Sequence, residues 1–533
     1  MPRVTIDDVE MDVPAGTTVL QAALSRGREV PHYCYHPGLS IAGNCRMCLV
    51  EVEKAPKLMI ACQTRVADGM VVHTRNQKVE QAQASVMEFL LINHPLDCPI
   101  CDQAGECRLQ EYAVEHGTGV SRHDVGKVTQ NKAVDIGRHI MLDQERCIQC
   151  SRCVRFCDEV TGTHELDFFQ RGDRTKIGLY PGKRLDNPYS GNTADICPVG
   201  ALTVKEFRFA TRVWYLRNTP SVCAGCARGC NLMVAVGRKQ ELMTSPGQLD
   251  DGIKRIQPRV NEAVNRHWIC DEGRLSYRNL EAAGRLPHAQ DGKGSELDWD
   301  AAVTRGGESI RQAAVAGRLG VIASPRATNE TLHALKKLID GVGGARLGVQ
   351  RIHRGADDNL LIRADKGANS NGAAAIVGDG DAAAVIQAAK NGDLDTLVVL
   401  GDLLDPADTI DLDGAADKLD QLIFVGPFVD AAANAAHLRL PASAWAEEDG
   451  TMVNCDGRVQ LVRRCHRPRG EGRPGWRVLQ DLYEGAGLAS PGWSSWDEVY
   501  EAMSEEVGAF GGTASQSIGL LGLQIGEPAP AGA

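Results

Sequence analysis

The sequence predicts a multidomain protein of the α+β and α/β classes, in which metal-binding modules precede an α/β domain. Its 533 residues are too many for a single hydrophobic core. Fifteen of its 18 cysteines lie between residues 34 and 230, one follows at 270, and the last two stand far away. Beyond residue 300, short apolar runs alternate with helical stretches, which is typical of an α/β domain. We therefore expect a metal-rich half followed by a metal-poor half.

Composition narrows the class of protein. Hydrophobic residues make up 43% and charged residues 24% of the chain, as in ordinary globular proteins. No apolar run approaches the ~18 residues of a membrane span, and the acidic N-terminus predicts no secretory signal. The net charge of −11 argues against a nucleic-acid partner. Close-spaced cysteines in such a chain favour metal ligation in a reducing compartment over disulfides.

The first module is predicted at residues 1–76. Residues 2–13 alternate apolar and polar side chains around Asp7 and Asp8, which predicts a hairpin, and Thr17 to Arg26 predicts a helix. A hairpin, a helix and then a cysteine loop is the order of a β-grasp 2Fe–2S ferredoxin. The cysteines follow a C-x10-C-x2-C-x13-C pattern and suit a 2Fe–2S cluster: Cys34, Cys45, Cys48 and Cys62. The alternative is a four-cysteine zinc site.

The second module is predicted at residues 77–116. Its apolar pattern predicts a helix from Gln77 to Asn93, and an H-x3-C-x2-C-x5-C pattern follows. The predicted ligands of a 4Fe–4S cluster are His94, Cys98, Cys101 and Cys107. A histidine near a helix end is more often a cap or a surface residue. Here three cysteines need a fourth ligand, and His94 lies four residues from the first of them.

The third module is predicted at residues 136–206, as a ferredoxin-like region where loops dominate. Its C-x2-C-x2-C triplet would bind three corners of a 4Fe–4S cluster: Cys147, Cys150 and Cys153. Cys157 or Cys197 could supply the fourth ligand. We choose Cys197 because Pro198 follows it, as is typical of a remote fourth ligand. Arg152 and Arg155 either offset the cluster charge or are solvated surface residues.

The fourth module is predicted at residues 214–280. Its C-x2-C-x3-C-x39-C pattern suits another 4Fe–4S cluster: Cys223, Cys226, Cys230 and Cys270. The alternative is a zinc ribbon. The four sets use 15 cysteines and His94, which leaves Cys157, Cys455 and Cys465 as structural or incidental thiols. Four sets in series within one chain predict a conduit for electrons.

The rest of the chain predicts no complete substrate site. The sequence predicts a linker at residues 287–300 and an α/β domain at 300–485. It predicts a C-terminal tail at 486–533, whose end, Glu527 to Ala533, is expected to be disordered. No G-x-G-x-x-G follows a strand, and Gly341 to Arg346 lacks the third glycine. We therefore expect NADH to bind elsewhere, and no catalytic residue on this chain.

These four sets, in this order, resemble the family of large, 75 kDa-type iron–sulfur subunits of respiratory complex I, which in bacteria is the G subunit of NADH-quinone oxidoreductase. The resemblance covers residues 1 to about 280. It implies one 2Fe–2S and three 4Fe–4S clusters that pass electrons from FMN on an NADH-binding partner subunit toward quinone. It implies the fourth cluster to lie off that route. It also implies other peripheral-arm partners, indirect contact with a proton-translocating membrane arm, and a location on the cytoplasmic side of the inner (plasma) membrane.

A weaker resemblance joins Leu440 to Asn454 to the molybdopterin-oxidoreductase superfamily. Members of that superfamily usually follow the last cluster cysteine with x-Lys-Gly-Arg, whereas this chain has Glu272 at the lysine position. Cys157 is a second departure from the family pattern. The part after Cys270 is also shorter than a complete pterin-binding module of that superfamily. The resemblance therefore implies a truncated, degenerate α/β domain with no molybdopterin.

Other functions remain open at this point. Soluble NAD-linked hydrogenases and formate dehydrogenases carry similar cluster modules, so the chain could relay electrons in one of them. A free-standing molybdopterin catalyst is disfavoured by Glu272, and a zinc scaffold must explain sixteen potential ligands in ferredoxin-like order.

Overall fold

A computed structural model describes residues 1–237, 252–282, 284–412 and 414–525. The chain divides into two compact units, Met1–Leu216 and Arg217–Ala533. The predicted disordered end, 527–533, and part of the fourth predicted module, 238–251, lie outside the described residues. Across those described ranges, no helix combines the length and the apolar character that crossing a bilayer requires.

The N-terminal unit consists of short elements joined by long loops. In chain order, its strands and helices are β1 (Arg3–Ile6), β2 (Val9–Asp12), α1 (Val19–Ser25), β3 (Leu49–Val52), β4 (Met59–Ile60), β5 (Met70–His73), α2 (Gln77–Leu91), α3 (Arg108–His116), β6 (Val134–Asp135), β7 (Ile140–Leu142), α4 (Arg152–Arg155), β8 (Leu166–Phe169), β9 (Lys176–Leu179), α5 (Asn192–Asp195) and β10 (Leu202–Val204).

The first five strands form one sheet in the order β2-β1-β5-β3-β4. Strands β1 and β2 are joined by a turn at Asp7 and Asp8, which both have positive φ (44° and 68°). Two such residues are typical of a type I′ turn, whose backbone twist matches that of the two strands. Helix α1 begins at a capping box, in which the Thr18 amide donates to Gln21 Oε1 at 3.0 Å and the Gln21 amide donates to Thr18 Oγ1 at 3.3 Å. The predicted hairpin and helix therefore form where the local sequence specifies them.

Small sheets hold the rest of this unit. Strands β10, β7 and β6 form a three-stranded sheet, and β8 pairs with β9. Between them the chain runs in loops and single helical turns, so the cysteine side chains are carried mainly by loops. A buried cluster fills the space among these loops: Tyr33, Cys34, Met47, Met87, Leu109, Tyr112, Cys150, Val199 and Ala201.

The C-terminal unit is built around a larger sheet. Its elements are β11 (Leu216–Val222), β12 (Asn231–Gly237), β13 (Ile253–Pro258), α6 (Asp271–Leu275), α7 (Tyr277–Ala282), β14 (Gln290–Asp291), α8 (Trp299–Val315), β15 (Leu319–Ala323), α9 (Asn329–Val342), β16 (Arg346–Val349), α10 (Ser370–Val377), α11 (Ala382–Lys390), β17 (Thr396–Leu400), β18 (Gln421–Gly426), α12 (Ala431–Ala435), β19 (Leu438–Pro441), β20 (Gly450–Val453), β21 (Arg458–Val462), α13 (Gly475–Gly485), α14 (Trp496–Glu506) and β22 (Leu523–Gln524).

The large sheet is doubly wound. Its order is β14-β19-β18-β17-β15-β16, and all neighbours are parallel except β14 with β19. Strands β15, β17 and β18 are buried at every position, as expected when helices cover both faces. The strand order reverses between β15 and β17, which is the position where such sheets open a crevice at their carboxyl ends.

Two segments are more ordered than the sequence analysis expects. Within the expected linker, Gln290–Asp291 pairs with β19, and the Asp298 side chain caps α8. Within the expected tail, α14 buries Val499, Tyr500 and Met503 in the main core, and β22 pairs with β21. The described part of 486–533, up to residue 525, is therefore folded onto the domain. The reason is that α14 presents one apolar face at helical spacing.

Candidate iron–sulfur sites

The thiols of the first set lie in direct contact. The Cys34 amide donates to Cys45 Sγ at 3.5 Å, and Cys34, Cys48 and Cys62 are at most 1% exposed. Hydrogen bonds between the thiols lower the pKa of Cys34 and Cys48 and raise the pKa of Cys45 and Cys62. Hydrogen bonds therefore link the four thiols, as expected of side chains gathered around a common centre.

The loop before Cys48 turns its backbone toward this group. Gly43 and Arg46 both have positive φ (63° and 59°), which folds the loop back on itself. The backbone amides of Cys45 and Asn44 then bond to the Cys34 sulfur and lower the pKa of its thiol. Such amides stabilise negative charge on sulfur, which suits a cluster bound by thiolates.

The second set gathers at the end of α2. The Cys107 thiol has Cys101 and Cys98 as electrostatic neighbours, and burial raises its pKa to about 11. Cys101 is buried, whereas the Cys98 residue is exposed. The three cysteines therefore lie near one another, and one of them is exposed to solvent.

His94 lies beside the charged residues that flank this set. Burial, with Lys127 and Arg146 nearby, lowers the pKa of His94 to about 4. An imidazole with that pKa is neutral at pH 7, which is the form that binds metals. Asp97 links the same region to the third module, because Arg146 Nη2 bonds its carboxylate at 2.9 Å.

The third set lines one small cavity. All four predicted ligands contribute to its wall: Cys147, Cys150, Cys153 and Cys197. Gln149 and Ser151, which alternate with the cysteines, have positive φ (55° and 64°), so the chain curls tightly around the cavity. The Gln149 amide donates to Cys147 Sγ at 3.4 Å. Burial raises the pKa of Cys150 to about 11, so this thiol is neutral at pH 7 unless a positive charge such as a metal ion stabilises its thiolate.

Two arginines of helix α4 connect the third set to the first. Arg152 Nη1 donates to the Ile196 carbonyl at 3.0 Å, and its Nη2 donates to the Tyr35 carbonyl. Arg155 Nη2 donates to the Cys34 carbonyl at 2.5 Å. Burial lowers the pKa of Arg152, whose electrostatic neighbours include thiols of both sets. Arg152 is therefore not a solvated surface residue, and its positive charge lies near the thiols of both the first and the third set.

The segment after Cys197 connects the third set to the second. The Cys107 thiol lies 3.9 Å from the Pro198 carbonyl oxygen. A Cβ atom on Gly200 would stand 2.2 Å from Cys101 Sγ, so only glycine fits there without displacement. Because Pro198 also lines the third cavity, one short segment borders both sets.

The fourth set lines a separate small cavity in the C-terminal unit. All four predicted ligands border it: Cys223, Cys226, Cys230 and Cys270. The Gly225 amide donates to Cys223 Sγ at 3.4 Å, and the Gly273 amide donates to Cys270 Sγ at 3.3 Å. A Cβ atom on Gly273 would stand 3.0 Å from Cys223 Sγ. The four sulfur side chains around one cavity fit a cubane cluster.

The α/β domain closes this fourth cavity. The Trp445 indole donates to the Val222 carbonyl at 2.9 Å, next to the first cysteine of the set. Glu272 and Lys366 also line the cavity, and Lys366 Nζ bonds Glu272 Oε2 at 2.8 Å. Spacing in the sequence identified Glu272 but not Lys366, because the two residues are 94 positions apart.

The remaining cysteines lie outside both cavity walls. Cys157 is fully buried, and burial together with Glu165 raises the pKa of its thiol. Cys465 is also fully buried, and its carbonyl accepts from Arg217. Cys455 is half-buried, and its amide donates to the Ala227 carbonyl at 2.7 Å, within the loop of the fourth set.

Sequence reasoning missed the residues that border the cysteines without binding them as ligands. Gly200, Lys366 and the Pro198 carbonyl carry no spacing signal. The sequence shows a glycine three residues after Cys197, but the need for glycine there comes from a contact with Cys101, almost one hundred residues earlier.

Throughout the ranges that the structure describes, no three His, Cys, Asp or Glu side chains form a group arranged for one metal ion.

Comparisons with known proteins match the chain module by module. A 2Fe-2S iron-sulfur cluster binding domain matches residues 2–77, and the NADH-ubiquinone oxidoreductase-G iron-sulfur binding region matches 83–122. The ferredoxin-like domain of NADH-quinone oxidoreductase subunit 3 matches 137–203. A molybdopterin oxidoreductase Fe4S4 domain matches 216–281, and molybdopterin oxidoreductase matches 363–485. This order confirms the predicted fold class, with 2Fe–2S and 4Fe–4S binding domains before a molybdopterin-oxidoreductase-like domain.

Curated relatives extend the match across module boundaries. The G subunit of the NADH-quinone oxidoreductase of Rickettsia felis is 40% identical over 354 residues, which cover 66% of this chain and 50% of the relative. The corresponding protein of Streptomyces coelicolor is 41% identical over 340 residues, which cover 62% of this chain and 39% of the relative. The matches thus span half or less of these relatives' length.

Among solved structures, the NAD+-reducing [NiFe]-hydrogenase in the H2-reduced state matches with 31% identity over 40% of this chain and 91% of that chain. The TM-score is 0.37, which is too low to compare the folds.

Proposed function

Because the chain belongs to the family of large, 75 kDa-type iron–sulfur subunits of NADH-quinone oxidoreductase, we propose that it is the electron-relay subunit of such a complex. In this role it passes electrons from FMN on an NADH-binding partner subunit toward quinone. The observation that carries the proposal is the contact between successive thiol sets in the N-terminal unit. Arg152 and Arg155 join the first set to the third, and Pro198 and Gly200 join the third to the second.

The proposed ligands are the sixteen side chains of the four sets. They comprise Cys34, Cys45, Cys48 and Cys62 for a 2Fe–2S cluster, and three further sets for 4Fe–4S clusters: His94, Cys98, Cys101 and Cys107; Cys147, Cys150, Cys153 and Cys197; and Cys223, Cys226, Cys230 and Cys270. When bound, these clusters take up and release single electrons. The protein supplies burial, amide donors and fixed charge, and it needs no acid, base or nucleophile.

The proposed order within the N-terminal unit is first set, third set, second set. Three features support it. The arginines of α4 bond to the backbone of the first set while facing the third. The segment from Cys197 to Gly200 borders the third and second sets at once. The Cys98 residue of the second set is exposed, so electrons can leave there to a neighbouring subunit.

The proposal extends to partners and location. The expected partners are the FMN-bearing subunit and other peripheral-arm subunits, with indirect contact to a proton-translocating membrane arm. The expected location is the cytoplasmic side of the inner membrane. We also propose no molybdopterin in the α/β domain. Purifying the complex from its native host and identifying the co-eluting subunits tests this part, because hydrogenase or formate dehydrogenase subunits in place of quinone-reducing ones would contradict it.

The cluster assignment is tested on anaerobically purified full-length protein. We expect about 14 iron atoms per chain and reduced-state EPR signals of one 2Fe–2S and three 4Fe–4S clusters. C157S is the matched control, since it removes a buried thiol outside the proposed sets and leaves the iron content unchanged. Iron-free protein, or zinc in place of iron, would contradict the proposal.

A further inference from the structure

The wall of the fourth cavity carries a pair of opposite charges in addition to its cysteines. Lys366 Nζ lies 2.8 Å from Glu272 Oε2, and both residues line the cavity. Lys366 is only 4% exposed, whereas about half of the Glu272 side chain is exposed. The ammonium group is thus the buried partner of the pair. A buried charge is screened by salt much less than an exposed one.

Glu272 by itself works against negative charge at this site. It stands two residues after Cys270 and lines the same cavity as the four cysteines, so its carboxylate lies beside any negative charge held there. Cubane clusters bound by four thiolates are anionic, and each becomes more so on reduction. A cation on the same wall is therefore needed to offset both the carboxylate and the added electron.

The backbone of Lys366 is fixed from two sides. Its amide donates to the Ile352 carbonyl at 2.7 Å, and its carbonyl accepts from Arg326 Nε at 2.9 Å. The preceding Asp365 carbonyl accepts from the Ala227 amide at 2.9 Å, within the loop that carries Cys226 and Cys230. The lysine segment is therefore tied directly to the ligand loop.

Arg326 anchors this segment to the doubly wound sheet. It follows β15 and is completely buried, and its Nη1 bonds Asp402, which follows β17, at 2.7 Å. The same nitrogen bonds Asp408 at 2.7 Å. The carboxyl ends of the strands on either side of the reversal in strand order thus hold the arginine, and the arginine holds the carbonyl of Lys366.

We propose that Lys366 sets the reduction potential of the fourth cluster, with Glu272 holding its ammonium group at the cavity wall. The proposal rests on the function proposed above, since it needs the fourth cluster. A fixed cation stabilises the reduced cluster more than the oxidised one, because the reduced cluster carries one more negative charge. Lys366 thereby raises the reduction potential of the fourth cluster. Glu272 holds the ammonium group of Lys366 in place, and its own negative charge cancels part of that increase.

The test is a potentiometric titration of the full-length protein followed by EPR. We expect K366M to reduce the ratio of reduced to oxidised fourth cluster about tenfold at a fixed potential, equivalent to a midpoint about 59 mV lower. E272Q keeps an oxygen that can accept from the ammonium group and removes only the negative charge. It should therefore shift the midpoint upward, by a smaller amount because the carboxylate is half exposed. The double variant should lie between the single variants. The signals of the first three sets should keep their midpoints in every case.

K337M is the matched control. Lys337 bonds Glu506 at 2.6 Å in the same unit, and neither residue borders the cavity. If K366M titrates like K337M, the proposal is wrong. If K366M fails to load iron, E272Q decides, since an unchanged midpoint in that variant also overturns the proposal. Absence of a fourth EPR signal in the unmodified protein would instead refute the four-cluster assignment, and this inference with it.

Discussion

The two units of the molecule hold their thiol sets in different ways. In the N-terminal unit, the segments that carry three thiol sets contact one another. Arg155 of α4 donates to the Cys34 carbonyl, and Gly200 packs closely against the Cys101 sulfur. In the C-terminal unit, a single set is bordered by the α/β domain, which places Lys366 in the cavity wall and bonds Trp445 to the Val222 carbonyl beside the first cysteine. The first arrangement connects three thiol sets through shared segments, whereas the second borders one thiol set with a folded α/β domain.

This difference has a structural origin. The N-terminal unit has only short strands, and its central buried cluster includes Cys34 and Cys150 themselves. The C-terminal unit has a sheet with fully buried strands and a large core of its own, apart from the cysteines. We therefore expect changes at one N-terminal site to reach its neighbours, and changes at the fourth site to remain local.

The largest expected effect is the loss of electron transfer when the series of sites is interrupted. In the proposed complex, C150S should lose the third-site EPR signal and abolish NADH-dependent quinone reduction. C226S should lose only the fourth-site signal and keep quinone reduction, since family resemblance implies that the fourth cluster lies off the route. C455S is the control for C226S, because Cys455 neighbours the fourth loop without lining the cavity. Loss of quinone reduction in C226S with the first three signals intact would overturn this distinction.

A matched pair of glycine substitutions tests the packing around sulfur in each unit. G200A places a Cβ atom 2.2 Å from Cys101 Sγ, so we expect the second cluster to fall below half occupancy. G225A places a Cβ atom 3.4 Å from Cys223 Sγ, which is an ordinary contact, so the fourth cluster should keep its occupancy. Iron content and EPR amplitudes measure both. Equal second-site amplitudes in G200A and unmodified protein would show that this close contact does not matter.

A smaller effect is expected when the charge shared by two N-terminal sites is removed. Arg152 has thiols of the first and third sets as electrostatic neighbours. R152M should therefore lower the midpoint potentials of both clusters, each by about 59 mV if the equilibrium shifts tenfold. R184M is the control, since Arg184 is exposed and bonds Asp135. A shift confined to one cluster would show that Arg152 does not couple the two sites.

The last expected effect concerns the pH dependence of stability in the C-terminal unit. Burial raises the pKa of Glu448 from 4.5 to about 8. The folded state then keeps a proton that the unfolded state releases, so this contribution is complete below pH 4.5 and is lost as pH rises to about 8. The loss is at most about 1.4 kcal/mol per pH unit for one group. E448Q stays neutral and should flatten this fall.

Urea unfolding of the full chain between pH 5.5 and 7.5, followed by tryptophan fluorescence, measures the effect. Glu448 is 1% exposed and accepts from the Gly475 amide at 3.2 Å, a bond that glutamine can keep. E505Q, at an exposed position, is the control. Parallel pH dependences in E448Q and E505Q would contradict the prediction.

The sequence alone predicts features that are encoded locally. The hairpin at Asp7 and Asp8 and the capping box at Thr18 follow from a few adjacent residues, and the cysteine sets follow from fixed spacings. Contacts between distant segments could not be predicted in this way. Lys366 reaches Glu272 only because Arg326 and the doubly wound sheet hold its backbone. The domain boundaries and the identities of the sixteen ligands stay predictions.

The packing of the C-terminal segment shows the same limit. Val499, Tyr500 and Met503 form an apolar face of α14 at helical spacing. That face is buried only because the core of the α/β domain offers a matching surface. A pattern of three residues does not reveal that surface.

The most direct test of the central claim is the magnetic interaction between the first and third sites of the N-terminal unit. In reduced full-length protein, the EPR power saturation of the 2Fe–2S signal reports whether a second paramagnetic cluster lies close by. We predict fast relaxation of this signal when the third cluster is reduced, and slow relaxation in C150S. The same saturation behaviour with and without the third cluster would contradict the account, because sites in series must lie close enough to exchange electrons.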